Sequence, residues 1–200
     1  MAAPPLPDAH RFPELHRLQA LIDRRSPWLR ADIIMVIKAQ DAELPIWCLE
    51  LGNTSPDVPA VGFFGGVHGM ERIGTQVLIA WLQTLLERLA WDRHFAALLD
   101  NVRLVFMPMV NPGGLYLGSR ANPAGVDLMR SAPQDASGRV PFLVGGHRFS
   151  EKLPWYRGHV NAGLPVEAQA LFQVVRERLH THAFSLAMDC HSGFGFRDRI

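Results

Sequence analysis

His68 stands three residues before Glu71 in the stretch GFFGGVHGMERIG, residues 62–74, where an apolar strand-like run gives way to a helical one. A strand-to-helix turn folds both side chains to the same side, so an imidazole nitrogen and a carboxylate oxygen could reach one ion. A second imidazole, His191, follows the apolar run Ala183 to Cys190 far along the chain. Zinc accepts nitrogen and carboxylate ligands, and a hydrolytic zinc site uses three protein ligands while one position stays open for water. Taken alone, His-x-x-Glu is a weak pattern, and a lone histidine at a strand end is more often structural. Gly65, Gly66 and Gly69 raise the odds, because glycine lets the backbone turn tightly and a ligand approach. Cobalt, nickel or manganese suit the same donors.

The elements that must position these groups alternate between helical and strand patterns. Pro13 to Arg25 reads as a helix, and Asp32–Ala39 with Leu44–Leu51 as a hairpin. Pro59–Val67 reads as a glycine-rich strand. Glu71–Trp91 is a long helix whose stripe of Ile73, Val77, Leu78, Trp81, Leu82, Leu85 and Leu89 must pack on something wide. Asn101–Val110 is a further strand that ends at Asn-Pro-Gly-Gly, and residues 115–164 read mostly as loop. Val166–His180 returns to helix, and Ala183–Cys190 resembles a strand covered on both faces. The pattern is α/β around one sheet. His68 with Glu71, Asn111 and His191 all lie just past strands, where open α/β sheets place their ligand crevice.

Composition narrows the function classes. A hydrophobic content of 48% supports a sizeable core, and 20 basic against 19 acidic residues without a basic block give no reason to expect nucleic acid. The N-terminus has no signal-like pattern and the greasiest helix is broken by Gln83, Glu87 and Arg88, so a cytoplasmic chain without membrane insertion is expected. Cys48 and Cys190 do not form a disulfide framework and read as reduced, buried thiols. His10, His16, His94, His180 and His182 are expected at the surface, whereas His147 and His159 lie in the long loop near the presumed cleft.

The segments GGVHGMER, PMVNPGG, GVDLMR and DCHSGFG occur in this order, and the set resembles the zinc carboxypeptidase family of metallopeptidases over residues 59–196. That family is related to succinylglutamate desuccinylase and aspartoacylase. The resemblance implies a three-layer α/β/α sandwich around a mixed, mainly parallel sheet, with one zinc ion held by His68, Glu71 and His191. It implies that Arg120 polarises the scissile carbonyl, since a guanidinium stays charged and can donate to a developing oxyanion. It also implies that Asp127 orients His68, and that Arg130, with Asn111 at the strand end, contacts substrate. Met129 stands where the family carries an asparagine that helps to grip a terminal carboxylate.

In the resembled family a late glutamate serves as general base, and nothing before Ile200 occupies that place. Glu151 and Glu167 fall outside the motif register, and Glu167 suits the start of its helix. The expectation is therefore one incomplete catalytic domain, with residues 1–58 as an N-terminal helix and hairpin, residues 59–200 as the metal-site portion, and the last strands and the base beyond residue 200. Three readings follow: a zinc hydrolase cleaving a C-terminal peptide bond, a deacylase of small N-acyl amino acids, or a non-catalytic domain that binds metal or peptide. The expected partner is a peptide or small amide, and the oligomeric state stays open.

Overall fold

The computed structural model describes residues 3–192. The end of the fourth motif, residues 193–195, and the chain end lie outside the described residues.

Helix α1 (Pro13–Asp23) precedes a hairpin of β1 (Arg30–Ala39) and β2 (Ala42–Gly52). The hairpin turns at Gln40 and Asp41, where Gln40 adopts the left-handed φ of 52° that a two-residue loop requires. Strand β3 (Ala60–Gly65) leads into α2 (Arg72–Leu89), then the short α3 (Arg93–Leu98), β4 (Arg103–Met107) and α4 (Pro112–Leu117). After the long loop, α5 (Val166–Val174) runs into a π-helical turn over Val175–Leu179 and then β5 (Ser185–Cys190).

The strand order is β1-β2-β4-β3-β5. β1 with β2 and β2 with β4 are antiparallel, whereas β3 pairs in parallel with both β4 and β5. The sheet is thus mixed, with parallel and antiparallel pairings equal in number among the described strands. Layers cover both faces. On one, the ring of Phe63 meets Trp81 of α2 edge-on at 4.5 Å and stacks on Phe106 at 5.1 Å. On the other, Gly62 leaves room for Leu179, whose methyl would lie 2.8 Å from an added Cβ. Leu78, Leu82, Leu85 and Leu89 carry the buried side of α2, as their spacing predicts.

Two expectations are corrected here. Ile73 and Val77 belong to the predicted stripe yet remain exposed, and β5, at the edge of the sheet among the described strands, leaves Leu186 and Met188 exposed rather than covered. The two departures share a cause. Met188 pairs in register with Phe63, so Leu186 and Met188 face the same side as α2, and both are exposed. No described element packs beyond β5 on that side, which leaves Ile73, Val77, Leu186 and Met188 without cover. Residues 112–117, read as a turn and loop, form α4, because Asn111 caps it: its Oδ1 accepts from Gly114 N at 2.8 Å.

Candidate metal centre

Strand β3 ends at Gly65, and Gly66 turns the chain with a φ of 62°. The amides of Val110 and Asn111 donate to the carbonyls of Gly65 and Gly66, both at 2.9 Å, which ties the ends of β3 and β4 together. Gly69 packs so closely on the backbone of Gly114 that a Cβ would come within 1.9 Å of its carbonyl carbon. These approaches bring His68 in beneath the turn. Glu71 occupies the cap position of α2 and makes no capping bond, so its carboxylate faces the crevice instead. His191 comes in from the end of β5, the strand parallel to β3.

The three side chains converge. Donor atoms of His68, Glu71 and His191 all lie within 4.8 Å of one another. His68 Nδ1 is 3.1 Å from Glu71 Oε1, and His191 Nε2 is 3.2 Å from Glu71 Oε2. The two rings meet edge to face at a centroid distance of 4.7 Å.

Protons decide what such a cluster can hold. Asp127 is buried, and burial raises its pKa, but hydrogen bonds from His68 and Arg120 and the adjacent guanidinium charge outweigh that and hold the carboxyl below its usual range. Ionised, it only accepts, so His68 Nε2 is the donor in their 3.1 Å contact. In the neutral form that ligates a metal, Nδ1 then presents a lone pair toward a carboxylate oxygen 3.1 Å away, an arrangement that a cation between them would satisfy. Glu71 Oε2 is buried and, among the described residues, makes no hydrogen bond, although His191 Nε2 lies 3.2 Å from it. Two nitrogens and one carboxylate, with an orphaned oxygen among them, fit a zinc ion.

Arg120 donates from Nε to Asp127 Oδ2 at 2.9 Å and from Nη1 to Glu71 Oε1 at 3.3 Å. Its side chain is 27% exposed, and Nη2 makes no hydrogen bond to the described residues, so one face of the guanidinium is available to a ligand beside the cluster. The segment is fixed from behind, since Asp127 N donates to Tyr156 O at 2.8 Å and Met129 N donates to Asp127 Oδ1 at 3.0 Å.

The remaining predicted residues sit differently. Asn111 is fully buried; its Nδ2 donates to Val67 O while its Oδ1 caps α4, so contact with substrate would require it to give up one of these bonds. Arg130 lies outside the metal cluster and donates from Nε to Val144 O. Met129 is exposed beside it. His147, placed near the cleft by sequence, is buried, with Nε2 donating to Pro154 O and Nδ1 accepting from Phe149 N. Its ring braces the long loop. His182 is not at the surface as expected. It is buried, donates from Nδ1 to Val58 O, and accepts from Arg103, which also holds Glu50. Glu167 is buried and accepts from Asn122. Trp155 and Tyr156 lie in the braced loop, and Tyr156 is buried. Sequence reasoning missed Asp189, whose Oδ2 is 3.3 Å from His191 Nδ1. The alternation of a strand, which puts residues two apart on one face, could have found it.

Comparison with known proteins agrees with this geometry. The model of the zinc carboxypeptidase family matches residues 42–195. Carboxypeptidase SOL1 of Arabidopsis thaliana is 30% identical over 92 residues, which cover 44% of this chain and 19% of that protein. Human carboxypeptidase D is 33% identical over 73 residues, covering 34% of this chain and 5% of that protein. Among solved structures, bovine thrombin-activatable fibrinolysis inhibitor, in complex with tick carboxypeptidase inhibitor, superposes with a TM-score of 0.61 at 17% identity, covering 85% of this chain and 56% of that one. A metallo-carboxypeptidase from Pseudomonas aeruginosa gives 0.54 at 19% identity, covering 87% and 38%. The matched region spans at most a fifth of these curated relatives, and the structural likenesses speak for the fold.

Proposed function

The chain belongs to the zinc carboxypeptidase family, and from that premise we propose that it holds the metal of a zinc-dependent hydrolase that cleaves the C-terminal amide bond of a peptide. The observation that carries this reading is the convergence of His68, Glu71 and His191 around a buried Glu71 oxygen that makes no hydrogen bond to the described residues. Bound there, zinc would supply a Lewis acid and would lower the pKa of a bound water to about 7. The residues do the rest. Asp127 keeps the proton of His68 on Nε2, so Nδ1 is free to ligate. Arg120, fixed by Asp127 and Glu71, offers Nη2 to the carbonyl oxygen as negative charge develops on it. Arg130 is the guanidinium that would pair with a substrate carboxylate.

The general base is a glutamate that we place outside this cluster, since neither Glu151 nor Glu167 joins it; its contribution is about 10²–10⁴-fold. The free state of Cys48 and Cys190 favours a reducing, cytoplasmic setting. Among the described residues no helix is long and apolar enough to cross a membrane.

A second reading, a small N-acyl amino acid as substrate, is favoured by Met129, whose exposed thioether offers no strong donor beside Arg130. Zinc titration of the chain and of His68→Ala tests the site. Stoichiometric binding by the parent and none by the variant is expected; equal affinity refutes the ligand assignment. Peptides with free and amidated C-termini, set against N-acyl amino acids, separate the substrate readings.

A further inference from the structure

Arg120 and Asp127 stand seven positions apart in the chain, yet the guanidinium donates to the carboxylate at 2.9 Å beside the metal cluster. The intervening chain must close on itself, and Asn122 closes it. Its backbone NH donates to Val126 O at 3.0 Å, and its carbonyl accepts from Gly125 N at 2.9 Å. Its side-chain Oδ1 accepts from Ala124 N at 3.1 Å and from Val126 N at 2.9 Å. Two backbone donors on one atom identify that atom as the oxygen, so the amide nitrogen points the other way. There Nδ2 donates to Glu167 Oε2 at 3.0 Å.

Glu167 is an unusual partner. A glutamate in the first turn of a helix is stabilised by the helix dipole while it stays in water. This one is only 3% exposed and turns inward from α5 toward a buried amide. Burying a carboxyl group is costly unless a donor meets it, and Asn122 is the donor it meets. Arg120 lies between this hub and the bond from Ser119 N to Gly114 O, which ties the preceding residue to α4 at 3.0 Å.

We propose that Asn122, braced by Glu167 of α5, is the positioning residue of Arg120: it closes the loop that sets the guanidinium between Asp127 and Glu71. The brace brings the first turn of α5 into the geometry of the site without touching metal or substrate. A donor to a developing oxyanion is effective only where it is held in advance, and a misplacement of about 1 Å costs about 10²-fold. The inference rests on the reading of Arg120 as the group that meets the carbonyl oxygen.

The test reads the guanidinium directly, on the full 200-residue chain, through the solvent exchange of Arg120 Nε–H in proton–nitrogen correlation spectra. The signal is assigned by its disappearance in Arg120→Lys. Arg103 Nε–H, which donates to Glu50 at 2.8 Å in the sheet, is the control, because general loosening of the fold would move both. Glu167→Leu keeps the bulk but removes the acceptor, and Arg120 Nε–H should exchange about tenfold faster while Arg103 stays slow. Glu167→Gln keeps an oxygen for Asn122 and should match the parent. If the leucine variant does not fold, Asn122→Asp decides: it keeps an acceptor for the loop amides but sets a carboxylate against Glu167. It should speed the exchange, and Glu167→Gln added to it should restore the slow signal with the contact reversed in polarity. A folded Glu167→Leu or Asn122→Asp variant whose Arg120 exchanges as slowly as the parent overturns the inference. So does a loss shared equally by Arg103, or a parent whose Arg120 signal is already fast. Peptide hydrolysis tests the underlying reading apart: a parent that hydrolyses and an Arg120→Ala variant that matches it refute the role of Arg120, whereas the exchange rates still report on the brace.

Discussion

Arg72 Nη1 donates to Glu14 Oε2 at 2.6 Å, joining the first helix of the chain to the residue that follows Glu71. The same guanidinium donates from Nη2 to Leu115 O, and Gln76 donates to the other oxygen of Glu14. One buried carboxylate therefore holds α1 and α2 in place, and through Arg72 it holds α4 as well. Glu14→Gln should destabilise the chain by about 1–3 kcal/mol at neutral pH, since it weakens charge-assisted bonds to a partly exposed partner.

The pH dependence of that loss has a definite sign. Burial raises the pKa of Glu14, but the bonds from Gln76, its own backbone amide and Arg72 outweigh burial and leave the value lowered. A depressed carboxyl contributes stability above its unfolded value, near 4.5, and loses it as pH falls through the folded value. Urea midpoints of parent and variant should differ at pH 7 and approach one another below about pH 4. A gap that stays constant down to pH 3 would count against the ionised pair.

Gly74 lies in the first turns of α2, where helix propensity alone would reward alanine by about 1 kcal/mol. The opposite is expected. An added Cβ would fall 1.8 Å from the carbonyl oxygen of Cys190, which is backbone and cannot swing away. Gly74→Ala should lower stability by about 1–3 kcal/mol and weaken zinc binding too, because the shifted segment carries His191. Thermal melts and zinc titration read the two effects separately.

The two thiols should react at different rates. Burial and the nearby charge of Glu50 push Cys48 up to about 12, and the side chain is almost wholly covered. Cys190 is only half-buried. A disulfide reagent at pH 8 should modify one thiol readily and leave Cys48 untouched until denaturant is added; rapid modification of both would contradict the packing of β2.

Much of the site was legible in the sequence. His68 and Glu71 announce themselves through a spacing that only a strand-to-helix turn makes useful, and the glycines around them mark the close approach to Gly114. The leucines of α2 fix its buried side. Other features depend on contacts between distant segments that no local pattern carries. His147 reads as a residue of the cleft loop and His182 as a surface residue, yet backbone carbonyls and Arg103 take up their ring nitrogens in the fold. The apolar run of β5 reads as interior, but its place at the sheet margin depends on what packs beside it. Asn111 looked like a crevice residue because it follows a strand, and a cap at the same position was the competing use of the same side chain.

The last point concerns how tightly metal and fold are coupled. Among the described strands β5 has a single neighbour, β3, and is followed directly by His191, one of the three proposed ligands. A strand with one partner opens locally at lower free energy than one between two. Backbone amides of residues 185–190 should then exchange with deuterium faster than those of residues 103–107, and zinc should slow the first set while leaving the second unchanged. The ion would act as a clasp at the loose margin of the sheet, so that chelation unzips one strand well before the rest of the molecule melts.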